Sequence, residues 1–309
     1  MMSTYHTPVL LEETLAALAI DPAGLYVDGT AGGGGHAAAI AARLTTGRLL
    51  ALDRDPDAVT AATAWLAGLP AAVVQSAYRD MGKALGGERA SGILLDLGVS
   101  SHQLDTPARG FSYHHDAPLD MRMSQSGPLA ADLVATLSED ELTDIFRRFG
   151  EERFARPIAR ALVRARADRP IATTLQLADL VAGSVPAAAR RDAHPARRVF
   201  QALRIAVNDE LDDLPPSLRI AFDCLKVGGR LAVISFHSLE DRAVKEVFTS
   251  LTKGCTCPPD FPVCVCGHTP AARWVVRSRS PSPQEETANP RARSAKLRCI
   301  EKLRDDPNP

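Results

Sequence analysis

The sequence has few aromatic residues, no long apolar run and almost no net charge. Aromatic residues make up 5% of the 309-residue chain, which argues against a broad surface for stacking bases. The formal net charge is -1, so contact with nucleic acid must come from local basic patches rather than an overall field. No stretch approaches the ~20 apolar residues of a membrane span, and the N-terminus lacks signal-peptide features. We therefore expect a cytoplasmic protein with no membrane partner.

Cysteine is scarce outside one short segment. Four of the six cysteines form two C-x-C pairs, Cys255 with Cys257 and Cys264 with Cys266. In a reducing compartment such a cluster favours thiols or a bound metal over disulfides. Because the spacing differs from the C-x₂-C of common zinc sites, we assign no metal site here. Two alternatives stay open: a zinc ion held by four thiolates, or reduced cysteines in a proline-rich loop.

In contrast to these absences, the chain contains a glycine-rich turn between an apolar strand and an alanine-rich helix. The predicted strand 25–27 ends at Asp28, and five glycines between positions 29 and 35 precede a helix predicted over 37–44. Glycine lets the backbone come close to a ligand, and the first N–H groups of a helix are available to bind it. A flexible linker would lack the flanking strand and helix. The stretch therefore predicts a nucleotide cradle.

The acid at the end of this strand distinguishes between two cofactors. Residues 32–37 also fit the dinucleotide pattern G-x-G-x-x-G/A, which is a weak signal by itself. Asp28 would repel the pyrophosphate of a dinucleotide, whereas it suits a cationic group such as the amino group of S-adenosylmethionine. We therefore favour S-adenosylmethionine over a nicotinamide cofactor.

Three further apolar runs end at polar loops. The run 49–52 ends at Asp53, 72–75 leads to Tyr78, and 93–95 ends at Asp96. Asp53 suits a carboxylate that binds a ribose diol, with a helix-capping acid as the alternative. Tyr78 either lies against an adenine ring or is a loop residue. Because parallel strands end at one edge of a doubly wound sheet, we expect a ligand site there.

The composition changes between residues 109 and 211, where apolar residues follow the helical period and strand-like runs are almost absent. This pattern predicts an inserted helical domain. Its arginines cluster, and three of them share one predicted helical face because they repeat every four residues: Arg156, Arg160 and Arg164. They either bind phosphates or form a solvated face paired with Glu151 and Glu152.

The sheet pattern returns after residue 211. A glycine turn at Gly228 and Gly229 is predicted to close a helix before the strand 231–234, and His237 follows that strand as a structural or a catalytic residue. Two final strands are predicted around 274–276 and 297–300. Many basic residues here meet few acids, which predicts a loop that contacts phosphates or a mobile tail: Arg273, Arg277, Arg279, Arg291, Arg293, Lys296, Arg298 and Lys302.

Several long motifs resemble the ribosomal RNA small subunit methyltransferase H family across about residues 5–302. They include Asp28-Gly29-Thr30, Gly33-Gly34-Gly35-His36, Asp53-Arg54-Asp55-Pro56, Leu95-Asp96-Leu97-Gly98, Arg109-Gly110-Phe111-Ser112, Ser235-Phe236-His237-Ser238 and Asn289-Pro290-Arg291-Ala292-Arg293. The resemblance implies an α/β fold: a Rossmann-like class I methyltransferase sheet with an inserted all-helical domain. The methyltransferase domain would span 1–108 and 212–309, with a basic C-terminal loop, and 109–211 would recognise RNA.

The resemblance also implies an activity and a set of cofactor contacts. The reaction would transfer a methyl group from S-adenosylmethionine to N4 of a cytidine in the decoding centre of 16S ribosomal RNA within the small subunit. The oligomeric state stays open between a monomer and a homodimer. The sequence departs from the family at His102, where we expect proline, and at Pro157, where we expect a basic residue. The implied cofactor contacts are Gly34, Gly35, His36, Asp53, Tyr78, Asp96 and Gln103.

We predict Asp96 as the catalytic residue as well as a cofactor contact. The exocyclic amine of cytosine is a poor nucleophile, so its methylation needs alignment and an acceptor for an amine proton. Asp96 follows a strand at the predicted sheet edge, with Ser100, Ser101 and His237 as further candidates. An RNA-binding assembly factor without turnover is the alternative to an enzyme.

Overall fold

The computed structural model describes residues 8–187, 194–255, 257, 263, 266 and 269–305. The chain folds into two compact units. The first, here called the sheet unit, comprises Met1–Gly98 and Leu211–Pro309, and the second, the helical unit, comprises Val99–Glu210. The helical unit thus begins at Val99, ahead of the residue 109 expected from composition. Each unit is described separately below.

A seven-stranded sheet forms the centre of the sheet unit. The strands are β1 (Leu25–Asp28), β2 (Arg48–Asp53), β3 (Ala71–Gln75), β4 (Ala90–Asp96), β5 (Leu225–Ser235), β6 (Ala272–Arg279) and β7 (Lys296–Lys302). Their order is β3-β2-β1-β4-β5-β7-β6. Strands β1 to β5 are parallel, and β7 lies antiparallel between β5 and β6. This arrangement is the mostly parallel, Rossmann-like sheet that the sequence predicts.

Thirteen helices are described. They are α1 (Leu11–Leu18), α2 (Gly35–Ala41), α3 (Pro56–Trp65), α4 (Met81–Ala84), α5 (Ser101–Asp105), α6 (Ala130–Thr136), α7 (Glu139–Arg148), α8 (Ala155–Asp168), α9 (Thr174–Gly183), α10 (Ala196–Asn208), α11 (Leu214–Asp223), α12 (Ser238–Thr252) and α13 (Pro283–Ala288). Within the described ranges, none of them has the length and apolar character needed to cross a lipid bilayer.

Both faces of the sheet are buried. Ile93 and Leu95 of β4 belong to one apolar cluster, whereas Leu94 between them belongs to a second cluster. Successive side chains of a strand point to opposite faces, so the continuous apolar run in β4 covers both. This explains why the parallel strands have apolar sequences that end abruptly at polar residues.

The helical unit contains α5 to α10, and its described residues form no strand beyond one isolated bridge between Pro118 and Thr173. Helix α7 begins with a capping box, in which Ser138 Oγ accepts from Glu141 N and Glu141 accepts from Ser138 N. Pro157 lies in the first turn of α8, where its missing N–H leaves no hydrogen bond unmade. The departure at Pro157 therefore leaves the helix intact.

The predicted glycine turn before β5 is wrong, because Gly228 and Gly229 lie inside that strand. Leu225 of β5 pairs with Ala90 of β4, and Arg230 pairs with Gly92. Between these pairs β5 has more residues than β4, so β5 forms a bulge. Gly228 has φ +81, and a β-carbon on Gly229 would lie 2.8 Å from the Lys226 carbonyl oxygen. Positive φ and close packing, rather than helix termination, explain the glycine pair.

Candidate active site

The chain reverses direction after β1 in a loop held against the end of β4. Gly29 N donates to the Leu94 carbonyl at 2.9 Å, and Thr30 Oγ1 accepts from Asp96 N at 2.6 Å. A β-carbon on Gly29 would lie 2.5 Å from Leu95 Cδ2, so a larger residue here would force the Leu95 side chain to move. Asp28 and Asp96 therefore end neighbouring strands at the point where the strand order reverses, which is the ligand crevice of such sheets.

The remaining glycines lead from this loop into α2. Gly34 has φ +88 and is the N-cap of α2, which starts at Gly35, two positions before the start expected from sequence. A β-carbon on Gly35 would lie 2.6 Å from Pro8 Cγ. Side chains are thus excluded from the start of this helix, whose first backbone N–H groups have no partner within the helix.

Asp53 at the end of β2 fixes the glycine loop. Its Oδ2 accepts from Gly32 N at 2.8 Å, and its Oδ1 accepts from Asp55 N at 2.9 Å. Burial raises the pKa of Asp53, although the two N–H donors oppose this effect. The cap of α3 is Asp55, which accepts from Asp57 N at 3.1 Å. Each Asp53 oxygen retains a second lone pair, as a ribose diol requires.

Two buried carboxylate oxygens have no hydrogen-bond partner among the described residues. They are Asp28 Oδ2 and Asp96 Oδ1. Asp28 is 1% exposed and accepts only from Thr30 N, at 3.1 Å on its other oxygen. Burial raises the pKa of Asp28 to about 7, against opposing effects of His36 and the Thr30 N–H. Since buried polar atoms in proteins are nearly always paired, both oxygens indicate a donor supplied by a ligand.

His36 connects Asp96 to the segment before α1. Its Nε2 lies 3.0 Å from the Val9 carbonyl oxygen, and its Nδ1 lies 3.5 Å from Asp96 Oδ2. A carbonyl only accepts, so Nε2 bears a proton, and Nδ1 attracts the carboxylate when it is protonated too. Burial lowers the pKa of His36, but Asp96, Asp28 and the Val9 carbonyl together outweigh burial and raise it. The imidazole thus positions Asp96.

The structure brings most of the predicted cofactor residues together in the sheet unit. Tyr78 begins a 3₁₀ turn and packs beside Gly29, with its Cβ 3.1 Å from where a β-carbon on Gly29 would lie. Gln103 belongs instead to the helical unit, where its Oε1 accepts from Ser100 N at 3.0 Å. Ser100 Oγ in turn accepts from Gln103 N at 3.2 Å, which completes a capping box at α5. His102, at N2 of this helix, does not interrupt it.

His237 has a structural role. It is the N-cap of α12, where its Nδ1 accepts from Glu240 N at 3.3 Å and its Nε2 lies 3.0 Å from Glu240 Oε1. The other Glu240 oxygen accepts from Phe236 N at 2.8 Å. Both ring nitrogens are therefore engaged by the helix cap, and the structure favours the structural alternative over a catalytic one.

The expectation that the C-terminal basic residues form a loop is wrong for several of them, because they lie on β6 and β7 and are paired. Lys302 is 1% exposed, and its Nζ donates to the carbonyls of Phe222, Asp223 and Leu225 at 3.1–3.3 Å. Arg298 binds Asp241 through Nε at 2.7 Å and Nη2 at 3.0 Å. These partners are distant in sequence, so composition alone could not reveal them.

The arginine face of α8 also has partners that differ from those expected. Arg156 and Arg160 each lie 3.3 Å from a Glu139 oxygen of α7, rather than pairing with Glu151 or Glu152. The arginine side chains are about half exposed, at 55% and 49%. Exposed pairs of this kind hold the charges loosely, so phosphate binding by this face stays a prediction.

Asp28 is not among the cofactor contacts that the resemblance implies, although its position after a strand predicts a contact with a cationic group. In the structure it ends β1 next to β4, the strand that ends at Asp96, and it is buried. An acid directly after a buried strand was the signal for its role. The contribution of Thr30, whose hydroxyl fixes Asp96 N, had no comparable signal in the sequence.

The sheet and the site together define a Rossmann-like methyltransferase. The model of the MraW methylase family matches residues 3–303, and the chain belongs to this family. A protein of Symbiobacterium thermophilum named Ribosomal RNA small subunit methyltransferase H is 53% identical over 98% of both chains. One of the same name from Syntrophus aciditrophicus is 52% identical over 97% of this chain and 98% of its own.

Solved structures resemble the chain more distantly. A putative methyltransferase of Streptococcus mutans in complex with SAH has a TM-score of 0.44 and 11% identity, covering 94% of this chain and 97% of its own. The resemblance to the methyltransferase H family inferred from the motifs is confirmed by the family match and by the relatives.

Proposed function

We propose that this chain transfers a methyl group from S-adenosylmethionine to N4 of a cytidine in the decoding centre of 16S ribosomal RNA. The observation that supports a cationic methyl donor best is the pair of unpartnered oxygens on Asp28 and Asp96, at the ends of adjacent parallel strands. The named relatives support ribosomal RNA of the small subunit as the substrate. The choice of N4 of cytidine rests on the resemblance of the motifs.

The side chains and glycines of the crevice fit this cofactor. Asp28 Oδ2 would accept from the amino group, and the Asp53 carboxylate would accept from the ribose hydroxyls. The half-buried ring of Tyr78 would lie against the adenine. Gly34 and Gly35 would let the backbone approach, and Gln103 stays a cofactor contact implied by the resemblance. When bound, the cofactor supplies an electrophilic methyl group on a sulfonium.

Asp96 would bind the target amine as well as adjoin the cofactor. The lone pair of N4 is shared with the ring, so the reaction depends on alignment of the amine and on acceptance of its proton. Asp96 Oδ1 is an acceptor without a partner among the described residues, while Oδ2 faces His36. His36 and the Thr30 hydroxyl fix Asp96 from two directions, so its position is set before the substrate arrives.

The helical unit would hold the RNA around the target. A cytidine in folded RNA has to leave its stack to reach a pocket, and the flanking backbone then needs positive contacts. The exposed arginines of α8 and the exposed Arg293 after α13 are suited to such contacts. Their distribution agrees with a protein whose overall charge is near zero and whose basic patches are local.

A methylation assay tests the proposal. The purified chain is incubated with radiolabelled S-adenosylmethionine and small subunits from cells that lack the activity, and the digested RNA is analysed for methylated nucleosides. We expect N4-methylcytidine at a single site. RNA binding without transfer would favour an assembly factor, and failure to bind the cofactor would refute the assignment of the site to a methyltransferase.

The role of Asp96 is tested by comparing Asp96→Asn with the exposed control Asp179→Asn. If Asp96 orients the amine, Asp96→Asn should lower the single-turnover rate of methylation by at least about 100-fold, because the charge is removed. Its affinity for the cofactor should change only slightly. The control should behave as the unaltered protein. A parallel loss of cofactor affinity in Asp96→Asn would reduce Asp96 to a cofactor ligand.

A further inference from the structure

Outside the methyl-transfer site, the strongest cluster of reactive side chains lies between α12 and β6. The ends of this connection are fixed in the sheet unit, because Ala271 N donates to the Leu251 carbonyl at 2.9 Å and Leu303 N to the Ala271 carbonyl at 2.8 Å. Three cysteines of the connection are described, namely Cys255, Cys257 and Cys266. No residue assigned to the proposed reaction belongs to this segment.

The three sulfurs have the spacing of a metal shell. All three Sγ atoms lie within 4.8 Å of one another, and those of Cys255 and Cys266 are 3.7 Å apart. Thiolates at about 2.3 Å from a tetrahedral zinc ion lie about 3.8 Å from each other. A disulfide would require about 2.05 Å, so the pair is too far apart to be bonded.

A backbone hydrogen bond supports the same interpretation. Cys257 N donates to Cys255 Sγ at 3.4 Å across the first C-x-C turn. Hydrogen bonds from the protein commonly orient metal ligands and tune their charge. This hydrogen bond holds the Cys255 sulfur and would offset part of the negative charge of a thiolate there.

We propose that Cys255, Cys257 and Cys266 bind a structural zinc ion that fixes the connection between α12 and β6. Each thiol loses its proton to solvent and forms one S–Zn bond, so no oxidant or reductant is involved. Soft thiolates select zinc over magnesium or calcium. A closed tetrahedral shell needs a fourth ligand, for which the sequence offers Cys264 of the second C-x-C pair, a residue outside the described ranges.

Metal analysis of the full-length protein tests this site without reference to methylation. The chain is purified under reducing conditions without chelators, and its zinc content is measured by mass spectrometry. We expect about one zinc per chain, released when a mercurial reagent blocks the exposed thiols. Replacement by cobalt should give intense visible bands and near-ultraviolet charge transfer from sulfur, as tetrahedral thiolate sites do.

Cysteine variants show whether the metal lies at this cluster. Cys255→Ser and Cys266→Ser should each lower the zinc content by at least about fivefold. Cys224→Ser, which alters a half-buried cysteine of the sheet unit outside the cluster, is the matched control and should retain the metal. Circular dichroism checks that each variant is folded. Reduced, folded protein without zinc, or a bond between Cys255 and Cys266 found by peptide mapping, would overturn the proposal.

Discussion

Two groups of buried charges in the sheet unit differ in whether their partners are complete. At the ends of β1 and β4, Asp28 and Asp96 each have a buried oxygen with no partner among the described residues. On β7, Lys302 meets three backbone carbonyls and Arg298 forms a two-pronged contact with Asp241. The paired charges of β7 stabilise the fold, whereas the unpartnered oxygens at the ends of two adjacent parallel strands indicate a place for a ligand.

This difference corrects the expectation from composition for the basic residues only. The basic C-terminal residues are predicted to contact phosphates or to form a mobile tail, whereas the acids at the strand ends are predicted to bind a ligand. In the structure, Lys302 and Arg298 are bound within the fold, and their partners α11 and α12 lie far away in sequence. Burial and pairing, rather than charge alone, separate the two groups.

The largest effect on stability is expected for a charge whose partners are complete, when Lys302 is changed to methionine. Lys302→Met keeps most of the side-chain length but leaves the carbonyls of Phe222, Asp223 and Leu225 without their donor and also removes the ion pair with the exposed Asp305 at 2.8 Å. We expect the free energy of unfolding to fall by about 3 kcal/mol, measured by urea denaturation. The exposed Lys226→Met on β5 is the control. A loss no larger than that of the control would contradict the assigned role.

Asp28, whose partners are incomplete, should respond in the opposite way, with a loss of cofactor affinity and no loss of stability. Asp28→Asn removes a buried charge while its carbonyl can still accept from Thr30 N. We expect cofactor affinity to fall at least about tenfold, or about 1.4 kcal/mol, in calorimetric titrations with S-adenosylmethionine. The ligand-free variant should be as stable as the unaltered protein or more stable, because an unpartnered carboxylate is lost. Lower stability with unchanged cofactor affinity would show that Asp28 stabilises the fold, as Lys302 and Arg298 do.

The raised pKa of Asp28 predicts a pH dependence of the same site. With a pKa of about 7 in the folded protein and 3.8 as the ordinary value, the folded state retains a proton that the unfolded state releases. Stability of the ligand-free protein should therefore fall as the pH rises from about 4 to 7. Affinity for a cationic cofactor should rise severalfold between about pH 6 and 8, as the carboxylate forms.

The pH profile of the Asp28→Asn variant separates Asp28 from its neighbour. Loss of the proton from His36 would also favour binding of a cation, because it removes a positive charge from the site. The pKa of His36 is raised by Asp96 and Asp28 against the effect of burial, so both groups contribute to the profile. Titration calorimetry in the variant should show a much flatter profile if Asp28 dominates. An unchanged profile would assign the dependence to His36.

The smallest effect is expected at a charge that is paired but exposed. Arg273 lies 2.7 Å from Glu301, yet its side chain is 63% exposed. In Arg273→Ala, Glu301 keeps Arg230 at 3.1 Å. We expect the unfolding free energy to change by less than about 0.5 kcal/mol. A change as large as that of Lys302→Met would show that a paired charge stabilises the fold as strongly when it is exposed as when it is buried.

Much of the sheet could be predicted because local sequence determines it. The strands around β1, β2 and β4 are apolar runs that stop at Asp28, Asp53 and Asp96, and the structure ends each strand at that acid. The glycine loop has the same origin, since a β-carbon on Gly29 or Gly35 would clash. Sequence patterns therefore located the crevice and most of the residues around it.

The remaining features depend on contacts between distant segments. The bulge at Gly228 follows from pairing with β4, and the burial of Lys302 follows from the end of α11. Likewise, the link from His36 to the Val9 carbonyl joins a helix to the segment before α1. No local pattern predicts the bulge, the buried lysine or the contact of His36 with the Val9 carbonyl.

The order of the strands also has a consequence for synthesis on the ribosome. Strand β4 ends at Asp96, whereas its parallel neighbour β5 begins only at Leu225, after the whole helical unit. At roughly 5–20 residues per second, this edge of β4 waits on the order of ten seconds for its partner. The apolar run Ile93-Leu94-Leu95 borders that open edge, so the nascent chain passes through a stage at which chaperone capture competes with aggregation.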